Sequence, residues 1–157
     1  MATAVFAAGC FWGVEAWFER INGVEQTRVG YSGGNVESPS YELVKTGKTG
    51  HAESVKVDFD PEKISYEALI DAFFECHNPT TRNRQGEDIG SQYRSIIFYT
   101  NERQLQAAQQ KLIEWNQKGV FKTEIVTEIE AAGPFYDAEE YHQKYLQKNG
   151  TASCGIV

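Results

Sequence analysis

The chain has 157 residues, and its 41% hydrophobic and 24% charged content is typical of a single soluble globular domain with a full hydrophobic core. Its net charge of −7, from 15 basic and 22 acidic residues, argues against binding to nucleic acid. No apolar run is long enough to cross a bilayer and no signal-peptide pattern opens the chain, so we expect a cytoplasmic protein with no membrane partner. Three cysteines without a C-x-x-C pair argue against a disulfide framework and against structural zinc.

Apolar segments separated by turn-forming residues predict an α+β fold. An apolar run at residues 4–8 predicts a buried strand, and the next segment has the period of a helix with one apolar face. Near the other end, Asp137 with Glu140 resembles a capping box, which predicts a last helix that ends at Gly150. Between them the pattern predicts strands at 24–31, 52–59, 95–99 and 123–129, helices at 65–76 and 102–117, and long polar loops at 36–50 and 80–91. This order favours a two-layer sandwich with a mixed β-sheet.

Cys10 lies at the turn between the first strand and the first helix. Backbone N–H groups are unpaired at a helix N-terminus and the helix dipole is positive there, so a thiol in this position loses its proton more easily. A thiolate is a nucleophile, and Cys10 is therefore a candidate catalytic residue. The alternative is a buried structural cysteine, since free cysteines are among the most buried residues.

Glu53 stands on the apolar face of the strand predicted at residues 52–59, together with Val55, Val57 and Phe59. An inward carboxyl costs free energy unless it is paired or neutral. Burial raises a carboxyl pKa, which would let Glu53 act as an acid near neutral pH. The alternatives are a strand end where the alternation has not begun, or a contact with a nearby arginine.

Short motifs along nearly the whole chain, from about Val5 to Cys154, resemble those of the A-type peptide methionine sulfoxide reductases. They are Gly9-Cys10-Phe11-Trp12-Gly13, Gly30-Tyr31-Ser32-Gly33-Gly34, Thr49-Gly50-His51-Ala52-Glu53, Asn83-Arg84-Gln85-Gly86, Gln92-Tyr93-Arg94-Ser95 and Tyr141-His142-Gln143-Lys144-Tyr145-Leu146. The resemblance implies a ferredoxin-like α/β roll. It also implies thiol-dependent reduction of methionine S-sulfoxide, free or in proteins, and a role in repair of oxidised proteins.

Reduction by this route passes through a sulfenic acid on Cys10, which a second thiol can then condense with to form a disulfide. Cys76 lies on the apolar face of a predicted helix and is interpreted as a core residue, whereas Cys154 lies in a tail of small and polar residues. The resemblance also implies Cys154, because the family's resolving cysteine is near the C-terminus. We expect residues 1–157 to form one catalytic domain with a mobile tail at about 148–157.

For the sulfoxide oxygen, the resemblance implies that Glu53 donates a proton with help from the hydroxyls of Tyr41 and Tyr93. From the residues alone, nothing singles these two out among eight tyrosines, and each could simply be packed. Reduction of a sulfoxide also needs an apolar slot for the S-methyl group, which Phe11 and Trp12 would form; plain core packing is the alternative. Family position implies that Asp88, otherwise a solvated loop charge, and His142 also contact the substrate.

Thioredoxin is the external reductant that the resemblance implies, with dithiothreitol replacing it in vitro, and no bound cofactor is expected. The histidines lack a ligand pattern such as H-E-x-x-H, so no metal is expected either. We expect a monomer. Two other classes are compatible with Cys10: a thiol peroxidase or disulfide exchanger, and a peptide-binding module in which Cys10 is structural. Comparing activity on peroxide with activity on a sulfoxide peptide tests for the first class. A Cys10→Ser variant with unchanged binding and turnover would indicate the second.

Overall fold

The structure, a computed structural model, describes residues 1–149. Its strands are β1 (Ala2–Ala8), β2 (Val24–Ser32), β3 (Ala52–Phe59), β4 (Arg84–Gln85), β5 (Asp88–Ile89), β6 (Ser95–Tyr99), β7 (Glu128–Ala131) and β8 (Tyr136–Asp137). Its α-helices are α1 (Phe11–Glu19), α2 (Tyr41–Lys45), α3 (Tyr66–Glu75), α4 (Glu102–Lys118) and α5 (Tyr145–Asn149), with 3₁₀ turns at Ser91–Tyr93 and Glu140–His142. None of these helices is long and apolar enough to cross a membrane.

The main sheet is mixed and has the order β7-β6-β1-β3-β2-β8. Its neighbouring strands are antiparallel except β6 and β7, which are parallel and joined by α4. A parallel pair needs a crossover connection, and the helix supplies it. The predicted α+β class with a mixed sheet is therefore confirmed.

One face of the sheet carries the main core. Buried side chains of α1, α3 and α4 pack against inward residues of β1, β2, β3 and β6, which makes two layers. Phe6 lies at the centre, with its ring 5.1 Å from that of Phe18 and 5.2 Å from that of Phe73. Burying each such side chain stabilises the fold by about 1.5–3 kcal/mol. This packing fixes α1, and with it Cys10, against the end of β1.

The segment after residue 135 differs from its prediction. A helix from Asp137 is wrong, because Tyr136–Asp137 forms β8 against β2 and α5 begins only at Tyr145. The Gln143 side chain accepts from the Val29 N–H and donates to the Val29 carbonyl, each over 2.9 Å, while Lys144 has a φ of 54°. These long-range bonds to β2 hold the chain out of a helix and override the local capping pattern.

The strand predicted at residues 123–129 is also displaced, since β7 spans Glu128–Ala131. Before that point the Val126 N–H donates to the Pro79 carbonyl over 2.8 Å, so the segment pairs with a loop instead of the sheet. By contrast, the sequence predicts both ends of α4 correctly. Asn101 caps it through Gln104 N–H at 2.9 Å, and Gly119 ends it with a φ of 66°.

Candidate active site

Cys10 is the N-cap residue of α1 and is half-buried at the junction with β1. The turn depends on Gly9, which has a φ of +102° and whose missing Cβ would lie 2.8 Å from Gln85 Cγ. A larger residue there would be strained and would collide with that side chain. The turn therefore places the sulfur at the positive end of a helix, as the sequence predicts.

Glu53 reaches the same helix end from β3. Its side chain is 2% exposed, and Oε1 accepts a hydrogen bond from the Phe11 N–H over 3.1 Å. Burial raises the pKa of Glu53 to about 8. The hydrogen bond from the Phe11 N–H acts in the opposite direction, and the charge of Asp88 adds a smaller increase. Near neutral pH Glu53 is therefore mainly a carboxylic acid, and Oε1 is its accepting oxygen.

Tyr41, Tyr93 and Asp88 lie close enough to this carboxyl to interact with its charge. Tyr41 opens α2, Tyr93 closes the 3₁₀ turn before β6, and Asp88 lies in β5. Burial raises the pKa of Tyr41 to about 12 and that of Tyr93 as well, and the charge of Glu53 contributes to both shifts. Burial also raises the pKa of Asp88, with a further effect from Glu87. The raised pKa values of Tyr41 and Tyr93 mean that both tyrosine hydroxyls keep their protons and remain hydrogen-bond donors at neutral pH.

An aromatic cluster forms the wall next to Cys10. The buried Phe11 ring lies 5.3 Å from that of His142 and 6.5 Å from that of Tyr41. Trp12 stacks on Tyr145 at 3.8 Å, and its indole N–H donates to His142 Nδ1 over 2.9 Å. The structure thus brings Phe11, Trp12 and His142 together, although they come from opposite ends of the chain.

His142 is 1% exposed, and burial lowers its pKa, so the ring is neutral. Because Nδ1 accepts from Trp12, the ring proton is on Nε2. Within the part of the chain described by the structure, this buried Nε2 has no hydrogen-bond partner. Within residues 1–149 the Nε2–H is thus an unsatisfied donor in the wall of the site.

Sequence reasoning missed Tyr31, Tyr145 and Glu139. The Tyr31 ring lies 5.7 Å from that of Phe11, and its hydroxyl donates to Glu139 Oε1 over 2.9 Å. Tyr31 stands opposite Glu53 in the register of β2 and β3, so its inward position could have been found from the strand pattern. No sequence signal marks Glu139.

Cys76, His51 and His77 belong to the scaffold and not to the site. Cys76 is free, 3% exposed and in the core, where burial raises its pKa to about 12. His77 bonds the Phe73 carbonyl and Ser95 Oγ, each over 2.7 Å, and His51 holds the loop at Val36. Between residues 1 and 149 no group of three acidic, histidine or cysteine side chains could hold a metal ion. Cys154 lies outside the described residues.

A nucleophilic sulfur beside a neutral carboxylic acid and two hydroxyl donors suits one reaction type. The thiol can attack an electrophilic atom while the acid protonates an oxygen bound to that atom. This arrangement is typical of a thiol-dependent oxidoreductase that removes an oxygen from its substrate.

Comparison with known proteins identifies the family. The model of the family described as peptide methionine sulfoxide reductase matches residues 2–157, and the chain belongs to this family. The peptide methionine sulfoxide reductase MsrA of Methanothermobacter thermautotrophicus is 55% identical over 154 residues, which cover 98% of this chain and 91% of that protein.

Two solved structures are also similar. Mxr1 from Saccharomyces cerevisiae in its reduced form has a TM-score of 0.91 at 38% identity, over 98% of this chain and 88% of the other. Mxr1 in complex with Trx2 has a TM-score of 0.68 at 26% identity, over 99% and 88% of the two chains. The expected fold is confirmed, and the chain is an enzyme that reduces methionine sulfoxide in a thiol-dependent reaction.

Proposed function

We propose that Cys10 attacks the sulfoxide sulfur while protonated Glu53 delivers its proton to the sulfoxide oxygen. The hydrogen bond from Phe11 N–H to Glu53 Oε1 carries this proposal, because it holds the acid beside the residue that follows Cys10. Attack forms a bond between the Cys10 sulfur and the substrate sulfur. That bond and the S–O bond of the substrate then break as the oxygen, carrying the proton from Glu53, moves to Cys10. Cys10 becomes a sulfenic acid and Glu53 is left as a carboxylate. The substrate leaves as methionine, reduced by two electrons, and the cysteine is oxidised by two.

The hydroxyls of Tyr41 and Tyr93 donate to the developing oxyanion, where donors in a dry site stabilise charge strongly. Phe11 and Trp12 accommodate the S-methyl group against apolar surface. Asp88 and His142 bind the rest of the substrate, the latter through its buried Nε2–H. The substrate is the S epimer of methionine sulfoxide, free or in oxidised proteins that the enzyme repairs.

Regeneration requires a second thiol. We propose that Cys154 condenses with the sulfenic acid, which forms a Cys10–Cys154 disulfide and releases water. Thioredoxin then reduces this disulfide by exchange and is itself oxidised. The structure of Mxr1 with Trx2 supports a thioredoxin as the partner. We further propose that the enzyme is a cytoplasmic monomer without a bound cofactor.

Turnover of each epimer of a methionine sulfoxide peptide, with dithiothreitol and with thioredoxin, tests these points. We expect methionine from the S epimer with both donors and none from the R epimer. Cys10→Ser should be inactive, while Cys76→Ser, which removes a core thiol instead, should retain activity with both donors. Equal turnover of the two epimers, or an active Cys10→Ser variant, would contradict the proposal.

A further inference from the structure

We infer that the carboxylate of Glu139 is a positioning residue for Tyr41, an inference that rests on the proposed role of the Tyr41 hydroxyl. Glu139 Oε2 accepts from the Tyr41 backbone N–H over 3.0 Å, and Oε1 accepts from the Tyr31 hydroxyl over 2.9 Å. One side chain thus joins the loop that carries Tyr41 to the strand that faces Glu53.

The helix that begins with Tyr41 needs such support. Helix α2 has only five residues, and a helix this short is unstable by itself. Ser40 caps one of its free N–H groups, at Leu43, and Glu139 caps the N–H of Tyr41. The bonds of the Glu139 carboxylate to the Tyr41 N–H and the Tyr31 hydroxyl thus tie the first turn of α2 to β2.

Glu139 also connects Tyr41 to the opposite wall of the site. Its backbone carbonyl accepts from the His142 N–H over 2.9 Å, and the rings of His142 and Tyr41 lie 4.4 Å apart. The side chain of Glu139 therefore holds the backbone of Tyr41, whereas its backbone carbonyl holds that of His142. The charge of the Glu139 carboxylate also acts on the His142 ring. A change of side chain alone tests the contact with Tyr41 and leaves the bond to the His142 backbone in place.

The two carboxyl groups next to the site are kept in opposite protonation states. Burial would raise the pKa of Glu139, but hydrogen bonds from backbone N–H groups and from the Tyr31 hydroxyl outweigh it and lower the pKa. Glu139 is thus ionised and accepts hydrogen bonds, while Glu53 is mainly protonated near neutral pH. Carboxyl groups with separated pKa values commonly have separate roles in one site.

The test is a double-mutant cycle on the single-turnover rate of methionine formation. We expect Glu139→Ala to slow this step about 10-fold with little change in KM, because Tyr41 acts only in the transition state. In the Tyr41→Phe background the same substitution should slow it less than about 2-fold. Glu139→Gln keeps an acceptor for the Tyr41 N–H and should restore the rate to within about 3-fold of the parent. Glu140→Ala is the matched control. Among residues 1–149 its carboxylate pairs with Arg28 at 3.7 Å and with no site residue, so the rate should not change.

Each outcome decides a different point. Equal slowing by Glu139→Ala in both backgrounds, or no rescue by Glu139→Gln, would overturn the inference. A slow Tyr41→Phe beside a fast Glu139→Ala would overturn it and leave the proposed role of Tyr41 standing. An unchanged rate in Tyr41→Phe would remove that role and this inference together.

Discussion

The pH dependence of the reduction step is the sharpest consequence of the buried Glu53. With a pKa of about 8, roughly nine tenths of Glu53 is protonated at pH 7 and roughly one tenth at pH 9. If only the protonated form passes its proton to the sulfoxide oxygen, the rate at a constant fraction of Cys10 thiolate should fall about 10-fold between these two pH values. Its decline should be centred near pH 8.

The assay is a single-turnover experiment with enzyme in excess, in which methionine formed from a sulfoxide peptide is followed between pH 6 and 9.5. Attack by Cys10 requires a thiolate, whose fraction rises with pH, so the alkylation rate of Cys10 is measured over the same range. Dividing the reduction rate by the thiolate fraction isolates the contribution of the acid.

Glu53→Gln is the matched variant because an amide keeps a donor but cannot pass on a proton. Its rate should be lower at pH 7 and should lack the alkaline decline. A parent rate that stays constant or rises from pH 7 to 9 after the thiolate correction would refute the role of Glu53. So would a Glu53→Gln rate within about 2-fold of the parent at pH 7.

Three further predictions concern the thiols and the C-terminal segment. In the reduced enzyme, Cys10 should react with an alkylating reagent faster than Cys76 at neutral pH, because burial raises the pKa of Cys76 to about 12. Mass mapping of the early products measures this, and faster labelling of Cys76 would contradict it. Cys154→Ser should form one methionine per enzyme and then stop when thioredoxin is the reductant, although dithiothreitol can still recycle it. Sustained turnover of this variant with thioredoxin, or a Cys10–Cys76 disulfide in the oxidised parent, would exclude Cys154 as the resolving cysteine. Glu15→Ala should lower the free energy of unfolding by about 2 kcal/mol in urea, because the 1% exposed carboxylate accepts from Thr27 Oγ1 and the Lys144 N–H, each over 2.7 Å. Glu19→Ala, which removes a more exposed partner of Lys144 at 3.4 Å, is the control and should cost less than about 0.5 kcal/mol.

The parts of the site that depend on local pattern could be predicted from the sequence. An apolar run followed by a helical period places Cys10 at a turn, and alternation along β3 places Glu53 inward. Both features rest on residues within about ten positions of one another, where periodicity is informative. Tyr41 and Tyr93 carried no such signal, and only the resemblance to a family selected them.

The parts that failed depend on contacts between distant segments. Glu139 stands 98 positions from Tyr41 and 108 from Tyr31, and no local pattern reports such bonds. The same is true of Gln143, whose bonds to Val29 replace the helix that the capping pattern predicts. The C-terminal segment is therefore shaped by β2 more than by its own sequence.

Two buried groups give the stability of this enzyme an unusual dependence on pH. Burial lowers the pKa of His77 from 6.5 to about 4, so between these values the unfolded chain binds a proton that the folded chain does not, and stability rises with pH. Glu53 does the reverse, since its pKa rises from 4.5 to about 8, and over that range the folded chain binds the extra proton and stability falls with pH.

Each group contributes a slope of about 1.4 kcal/mol per pH unit. The two slopes oppose each other between about pH 4.5 and 6.5, and only that of Glu53 remains above pH 6.5. We therefore expect their combined contribution to be level from pH 5 to 6.5 and then to fall by about 2 kcal/mol up to pH 8. Urea unfolding of the parent and of Glu53→Gln at pH 5, 6.5 and 8 measures this. The variant cannot ionise at position 53, so it should lose the decline above pH 6.5. A decline of equal size in both proteins would mean that Glu53 is ionised in the folded enzyme, and the acid that the reduction step requires would have to be another group.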